Sequence, residues 1–269
     1  MNLARRFWLT GLLAGALLVA GCATTPPPAA SPQARAALAP TGKLRVGVYP
    51  GSPTSMVVDK SGSKAGVAYE LGREFARWLD VPFEPVEYRR IAEVIEAMKT
   101  GEVDFTFTNA TEARARDIDF TLPMLDIELG YLVPAGSKLS SAADIDQPGV
   151  RVGVTEGSTS LGTLTRLYRH ATVVPVPSLK AAAAQLAHGK LDAFATNKGI
   201  LFELADGLPG ARVLDGRWGQ EHMAIGIPRG RGAGLSYLSS SALAVRRDGT
   251  LQGAVSHAGL RGTVEPSNR

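Results

Sequence analysis

The feature that most constrains this chain is an arrangement that occurs twice. Arg45 to Val48 reads RVGV, Arg151 to Val154 reads RVGV again, and each is followed after two residues by Gly-Ser, at Gly51-Ser52 and Gly157-Ser158. Further along, Gly101 precedes EVDFTFTN and Gly189 precedes KLDAFATN. Counted from its glycine, each copy has an apolar residue (Val103, Leu191), then Asp104 or Asp192, and closes on Thr108-Asn109 or Thr196-Asn197. The two pairs of matches keep the same order but different spacings, so the chain holds two similar halves and not a solenoid.

Periodicity supplies the elements of each half. Lys43 to Val48 alternates as a strand, and Val67, Leu71, Phe75 and Leu79 recur at helical steps after Gly66. A strand follows at Phe83 to Tyr88. A second helix carries Ile91, Val94, Ile95 and Met98 and stops at Gly101, and the run Val103 to Phe107 reads as a buried strand. A β-α-β-α-β order with right-handed crossovers gives an α/β fold, in which a mostly parallel sheet has helices on both faces. Ligands of such sheets lie beyond the carboxyl ends of the strands. Those ends are polar in both halves, at Tyr49 to Ser55 and Thr108 to Arg114, and at Thr155 to Ser160 and Thr196-Asn197. Facing each other, they would form a cleft. Leu129 to Val133 and His222 to Ile227 are extended apolar runs between the halves. Two such crossings make a hinge, with one lobe at residues 43–131 plus 226–269 and the other at 132–225.

The most informative stretch is Thr108 to Pro123, TNATEARARDIDFTLP. Hydroxyls, an amide and Arg114 gather where a strand ends, and a guanidinium is a rigid two-pronged donor for a carboxylate or phosphate. In the other half, Ser158 or Thr159 can cap a helix defined by Leu161, Leu164, Leu167 and Tyr168. Its backbone amides then point into the cleft at the positive helix end.

The amino-terminal region has a different character. Arg5 and Arg6 precede an apolar run, Phe7 to Ala20, too short to span a bilayer comfortably, and residues 1–21 read as a signal. The ending LVAGC resembles the lipobox of bacterial lipoproteins, which implies cleavage before Cys22 and lipidation of its thiol. Residues 22–42 are rich in Pro and Ala without apolar periodicity, and a disordered tether is expected there. Cys22 is the one cysteine, so neither an intrachain disulfide nor a thiolate metal cluster can form. Setting aside Arg5 and Arg6 leaves 27 basic against 25 acidic side chains, with no basic run suited to nucleic acid.

Other chemistry finds no support. The four histidines are scattered without partners at ligand spacing, so no metal site is expected. STSLG at Ser158 to Gly162 has Glu156 where a nucleophile elbow needs its first glycine, and no phosphate-loop pattern or other cofactor motif occurs. Asp104 and Asp192 read as turn or cap residues.

TEARARDIDFTLP resembles a segment of the extracytoplasmic solute-binding proteins of family 3, the amino-acid type of ABC transporters. The resembling residues are Thr111, Arg114, Asp119, Phe120, Thr121 and Pro123. GVTEGSTS resembles the family's second-lobe anion loop, and GKLDAFATN the strand before its second-lobe contact. The resemblance runs from Lys43 to about Gly262. It implies the two-lobed type II periplasmic binding fold, a small anionic or zwitterionic solute, an inner-membrane ABC permease as partner, a periplasmic lipid-anchored monomer, and no catalysis.

By the same resemblance Arg114 grips the ligand's carboxylate, aided by Thr111 and Asn109. Ser158, Thr159 and Ser160 approach that anion from the other lobe, Asn197 faces the ligand, and Tyr49 walls the cleft. Asn197 stands where family members commonly have an Asp for the ligand's ammonium. Glu156 or Asp126 could substitute, and amino acid and organic acid stay equally open. The alternative is an enzyme resembling periplasmic cyclohexadienyl dehydratases, for which Glu156 would be the proton donor.

Overall fold

The computed structural model describes residues 29–264. The expected signal peptide and Cys22 lie outside them. Among the described residues no helix is long and apolar enough to cross a membrane.

The chain opens with α1 (Pro32–Leu38), inside the stretch expected to be a disordered tether. Its signals are local. Ser31 Oγ accepts the Ala34 N–H at 3.1 Å, and proline occupies the first turn, where no N–H is needed. Ala34 and Leu38, one turn apart, are buried against the carboxyl-terminal part of the chain. The Pro-Ala composition that suggested disorder is here a capped helix, with the two apolar residues needed to dock it.

The first half then runs β1 (Leu44–Val48), a small hairpin of β2 (Val57–Val58) and β3 (Lys64–Ala65), α2 (Val67–Leu79), β4 (Phe83–Glu87), α3 (Ile91–Thr100) and β5 (Thr106–Asn109). β1 pairs with β4 in parallel, and Val46 bridges Phe105 in parallel. A short turn at Arg114–Arg116 leads to β6 (Ile118–Phe120) and the long β7 (Leu125–Val133). The second half repeats the order with β8 (Arg151–Thr155), α4 (Thr159–Leu167), β9 (Thr172–Val176), α5 (Leu179–Ala187) and β10 (Ala193–Asn197). β8 is parallel to both β9 and β10. The chain closes with α6 (Lys198–Asp206), β11 (Arg212–Val213), β12 (Gly219–Pro228), α7 (Gly232–Arg247), α8 (Thr250–His257) and β13 (Thr263–Val264).

The two expected crossings are β7 and β12. They pair with each other antiparallel, from Leu129↔Gly219 to Leu125↔Met223, and then part. The far end of β7 joins β10 of the second half, and the far end of β12 joins β5 of the first. One continuous ribbon of strands thus links the halves.

The repeat has a physical meaning the sequence reading missed. Asp104 and Asp192 are anchors for the arginine of each RVGV, not turn or cap residues. Asp104 accepts the Arg45 backbone N–H at 3.1 Å, Nε at 2.7 Å and Nη2 at 2.8 Å, while Nη2 also donates to Gly101 O at 2.8 Å. Asp192 takes the same three donors of Arg151 at 2.8, 2.9 and 2.9 Å, with Nη2 donating to Gly189 O at 2.7 Å. Each clamp ties the first strand of its half to the loop before the third, and so fixes where the polar strand ends emerge.

The copies differ in burial. The Asp104 side chain is fully shielded and also receives Arg231 Nη1 at 2.7 Å, whereas Asp192 remains one-third exposed. Breaking a buried pair strands a charge, and exposed pairs contribute little. Asp104→Ala is therefore expected to cost about 3–5 kcal/mol in urea denaturation, and Asp192→Ala about 1 kcal/mol or less.

Candidate functional site

The halves are closed on each other. Tyr49, Ile91 and Val94 share one apolar cluster with Val176, Leu179 and Ala182 of the second half. Gly157 lies so near that a Cβ there would stand 2.5 Å from Ala92 Cβ, and its φ of +68° also favours glycine. At the rim, Arg90 Nη1 reaches across to Pro177 O at 3.3 Å and to Glu156 Oε2 at 3.2 Å.

The cleft between the halves is lined by Tyr49, Thr54 and Arg114 from one side, by Ser158, Thr159, Ser160 and Asn197 from the other, and by Glu221 and Met223 from β12. Six of the eight residues expected at a ligand site thus meet in one place. The other two stand behind it. Thr111 Oγ1 accepts the Arg114 N–H at 3.3 Å and so shapes the turn that carries the arginine. Asn109 turns its side chain to β12, where Oδ1 accepts the His222 N–H at 3.0 Å and the amide also acts to lower the pKa of Glu221, while its carbonyl serves Arg114.

Arg114 is buried at the end of β5. Its Nη1 donates to Thr108 Oγ1 at 2.8 Å and to Asn109 O at 3.0 Å, both neutral acceptors that orient the fork without neutralising it. Burial pulls its pKa down, opposed by the field of Glu221. Tyr49 is buried beside it, and that burial raises its phenol. Opposite, Ser158 caps α4, its Oγ accepting the Leu161 N–H at 3.2 Å. The free N–H groups of the first turn are left at the cleft.

Sequence reasoning missed Glu221. It lies on β12 opposite Ile127 of β7, is 8% exposed, and directs its carboxylate into the cleft. Asn197 Nδ2 donates to Oε2 at 2.9 Å and Thr159 Oγ1 to Oε1 at 3.4 Å. Burial pushes its pKa up from the ordinary 4.5, while the Asn197 hydrogen bond and Arg114 act to lower it. The residue stands immediately before HMAIGI, the run read as an apolar crossing, and only the register of β12 reveals that its side chain enters the site.

The two carboxylates named from the sequence as substitutes for an Asp lie elsewhere. Glu156 is at the rim, more than two-fifths exposed and bound by Arg90. Asp126 is behind the cleft, accepting from Gln220 Nε2 at 2.9 Å and 2.8 Å from His222 Nδ1.

Asn197 also has a reason to be an amide. Its Oδ1 caps α6 by accepting the Ile200 N–H at 3.1 Å, while Nδ2 serves Glu221. An Asp would keep the cap but set a second carboxylate against Glu221, and two such groups cannot both ionise cheaply. Asn197→Asp is expected to lower the unfolding free energy of the ligand-free protein, read by urea denaturation at pH 8, by about 1–3 kcal/mol. The deficit should shrink at pH 5 as the pair takes up a proton.

The profile of the bacterial extracellular solute-binding proteins, family 3, matches residues 44–257. A glutamine-binding protein of Geobacillus stearothermophilus is 26% identical over 190 residues, 69% of this chain and 72% of that protein. Membrane-bound lytic murein transglycosylase F of Shewanella oneidensis is 31% identical over 133 residues, 49% of this chain and 27% of the relative. The chain therefore matches only about a quarter of that relative's length.

Among solved structures, a mutant of ArgBP from T. maritima superposes with a TM-score of 0.75 at 21% identity, covering 84% of this chain and 99% of that one. The ancestral amino acid-binding protein AncCDT-1, described as a precursor of cyclohexadienyl dehydratase, gives 0.72 at 24% identity, covering 83% and 98%. At these identities the likeness establishes the fold, the two-lobed type II periplasmic binding architecture.

Proposed function

The chain belongs to the bacterial extracellular solute-binding proteins, family 3, and we propose that it is a receptor that traps a small α-amino acid by hinge closure. The lobes would be residues 43–131 plus 226–269 and residues 132–225, with β7 and β12 as the hinge. In this reading a lipid on Cys22 holds the protein at the periplasmic side of the membrane, and an ABC permease takes the solute.

The observation that carries this reading is the pair of buried, opposite charges facing one closed cleft. Arg114 and the first turn of α4 supply donors for a carboxylate. Glu221 supplies the acceptor for an ammonium that Asn197 cannot neutralise, which favours an amino acid over an organic acid lacking the amine.

Glu221 makes the reading testable by pH. An ammonium needs the ionised carboxylate, so affinity for an amino acid should fall as pH drops through the raised pKa of Glu221, above the usual 4.5. Glu221→Gln should weaken binding by about a hundredfold, the order expected for truncating one side of a buried charge pair, and should flatten the pH profile. The same group works against the ligand-free fold. Its folded pKa lies above its unfolded one, so its cost is absent at low pH and appears as pH rises. Glu221→Gln should therefore raise the neutral-pH Tm of the free protein, at about 2–4 °C per kcal/mol for a chain of this size. Equal calorimetric affinities for variant and parent would remove Glu221 from the site.

The dehydratase alternative keeps one specific support. Glu156 is held at the rim by Arg90, but Glu221 is a buried carboxyl whose raised pKa suits a proton donor. Incubation with prephenate or arogenate is expected to release no product above background. Turnover that disappears in Glu221→Gln would transfer the function to that enzyme.

A further inference from the structure

Leu179 stands between two spaces of unequal size. On one side is the cleft of Arg114 and Glu221, a cavity of about 30 Å³. On the other is an outer groove of about 370 Å³ between the halves, with mostly apolar walls that include Pro50, Ala183, Leu204 and Leu208. Among the described residues Leu179 alone lines both. Its place is fixed from two sides. Ser178 caps α5, its Oγ accepting the Ala181 N–H at 3.1 Å, which makes Leu179 the first residue of that helix. The side chain shares an apolar cluster with Tyr49 and Ile91 of the first half, and a Cβ on Gly51 would stand 3.4 Å from its Cδ1. Only 6% of it is exposed. A leucine packed in this way yields little, because extra methylenes pressed against close-packed walls force side chains off their rotamers.

We propose that Leu179 sets the length of the solute's side chain, so that the cleft takes glycine, alanine or serine and excludes longer amino acids. This rests on the amino-acid reading of the cleft and adds to it. Arg114, the first turn of α4 and Glu221 match the charges that all amino acids share, so discrimination among them falls to the space left over. That space is small and is bounded by Leu179. The larger volume lies behind the partition, closed to a ligand whose charges are held at Arg114 and Glu221.

Calorimetric titration of the chain with glycine, L-alanine, L-serine, L-norleucine, L-glutamine and L-arginine tests this. The best of the three small amino acids is expected to bind at least about tenfold tighter than any of the three long ones. Leu179→Ala joins the cleft to the outer groove, whose walls suit an unbranched aliphatic chain, and the affinity of L-norleucine relative to L-alanine should rise at least about tenfold. Leu179→Val, a smaller cut, should move that ratio the same way by a lesser factor. Loss of leucine packing between the lobes weakens every ligand alike and cancels in the ratio. A long amino acid that binds the parent as tightly as the small ones, or a ratio unchanged in both variants, would overturn the partition while leaving the amino-acid reading in place. Binding of none of the six would overturn both.

Discussion

Two opposite charges held out of water without touching are the constraint on which the rest of this structure turns. Arg114 rides on the turn after β5 and Glu221 on β12, so their separation is set by the ladder joining those strands, Met223↔Asn109 to Gly226↔Thr106. Asn109 reinforces that register by accepting the His222 N–H. In the closed cleft both groups are desolvated, and neither receives a counter-ion by contact. Separation of the lobes would rehydrate them, and a zwitterion between them would satisfy both. On the proposed reading, the ligand's differential affinity for the closed form would come from the desolvation of these two side chains, which is what a population shift requires.

The architecture was legible because it depends on patterns that are local or repeated. The strands at RVGV, the helix on Val67, Leu71, Phe75 and Leu79, and the two apolar crossings all follow from periodicity. What the repeat did not disclose was its purpose. Arg45 with Asp104 and Arg151 with Asp192 are separated by 59 and 41 residues, and pairing them needs the fold first. The helix α1 was missed for the opposite reason. Composition over twenty residues outweighed a cap and an i, i+4 pair spanning only a few.

The site was legible on the side of the anion and obscure on the side of the cation. Arg114 and the α4 cap announce themselves through strand-end polarity and capping residues. Glu221 follows no such rule. A strand in a hinge exposes alternate side chains to different surroundings, and which face meets the cleft depends on register with β7 and β5. Thr111 shows the converse, since a residue beside the cleft arginine can act by shaping its turn without lining the cleft.

The position of the negative charge also matters physically. A carboxylate at position 197 would sit at the amino terminus of α6, where the helix end favours anions. At 221 it sits on a strand with no such support, depending on Asn197 Nδ2, the Thr159 hydroxyl and the field of Arg114. That arrangement leaves the carboxyl with a raised pKa, so its charge is only weakly secured by the protein itself. On the proposed reading, an arriving ammonium would do what the helix terminus would have done. The amide and the carboxylate therefore form a unit. An amide at 197 avoids setting a second carboxyl against Glu221, and its Nδ2 donates to Glu221 Oε2, which favours the ionised form against the burial that opposes it. Reading position 197 alone leaves amino acid and organic acid equally open, whereas the pair favours a ligand with an amine, with a stronger coupling between ligand charge, closure and pH than a carboxylate at a helix end would give.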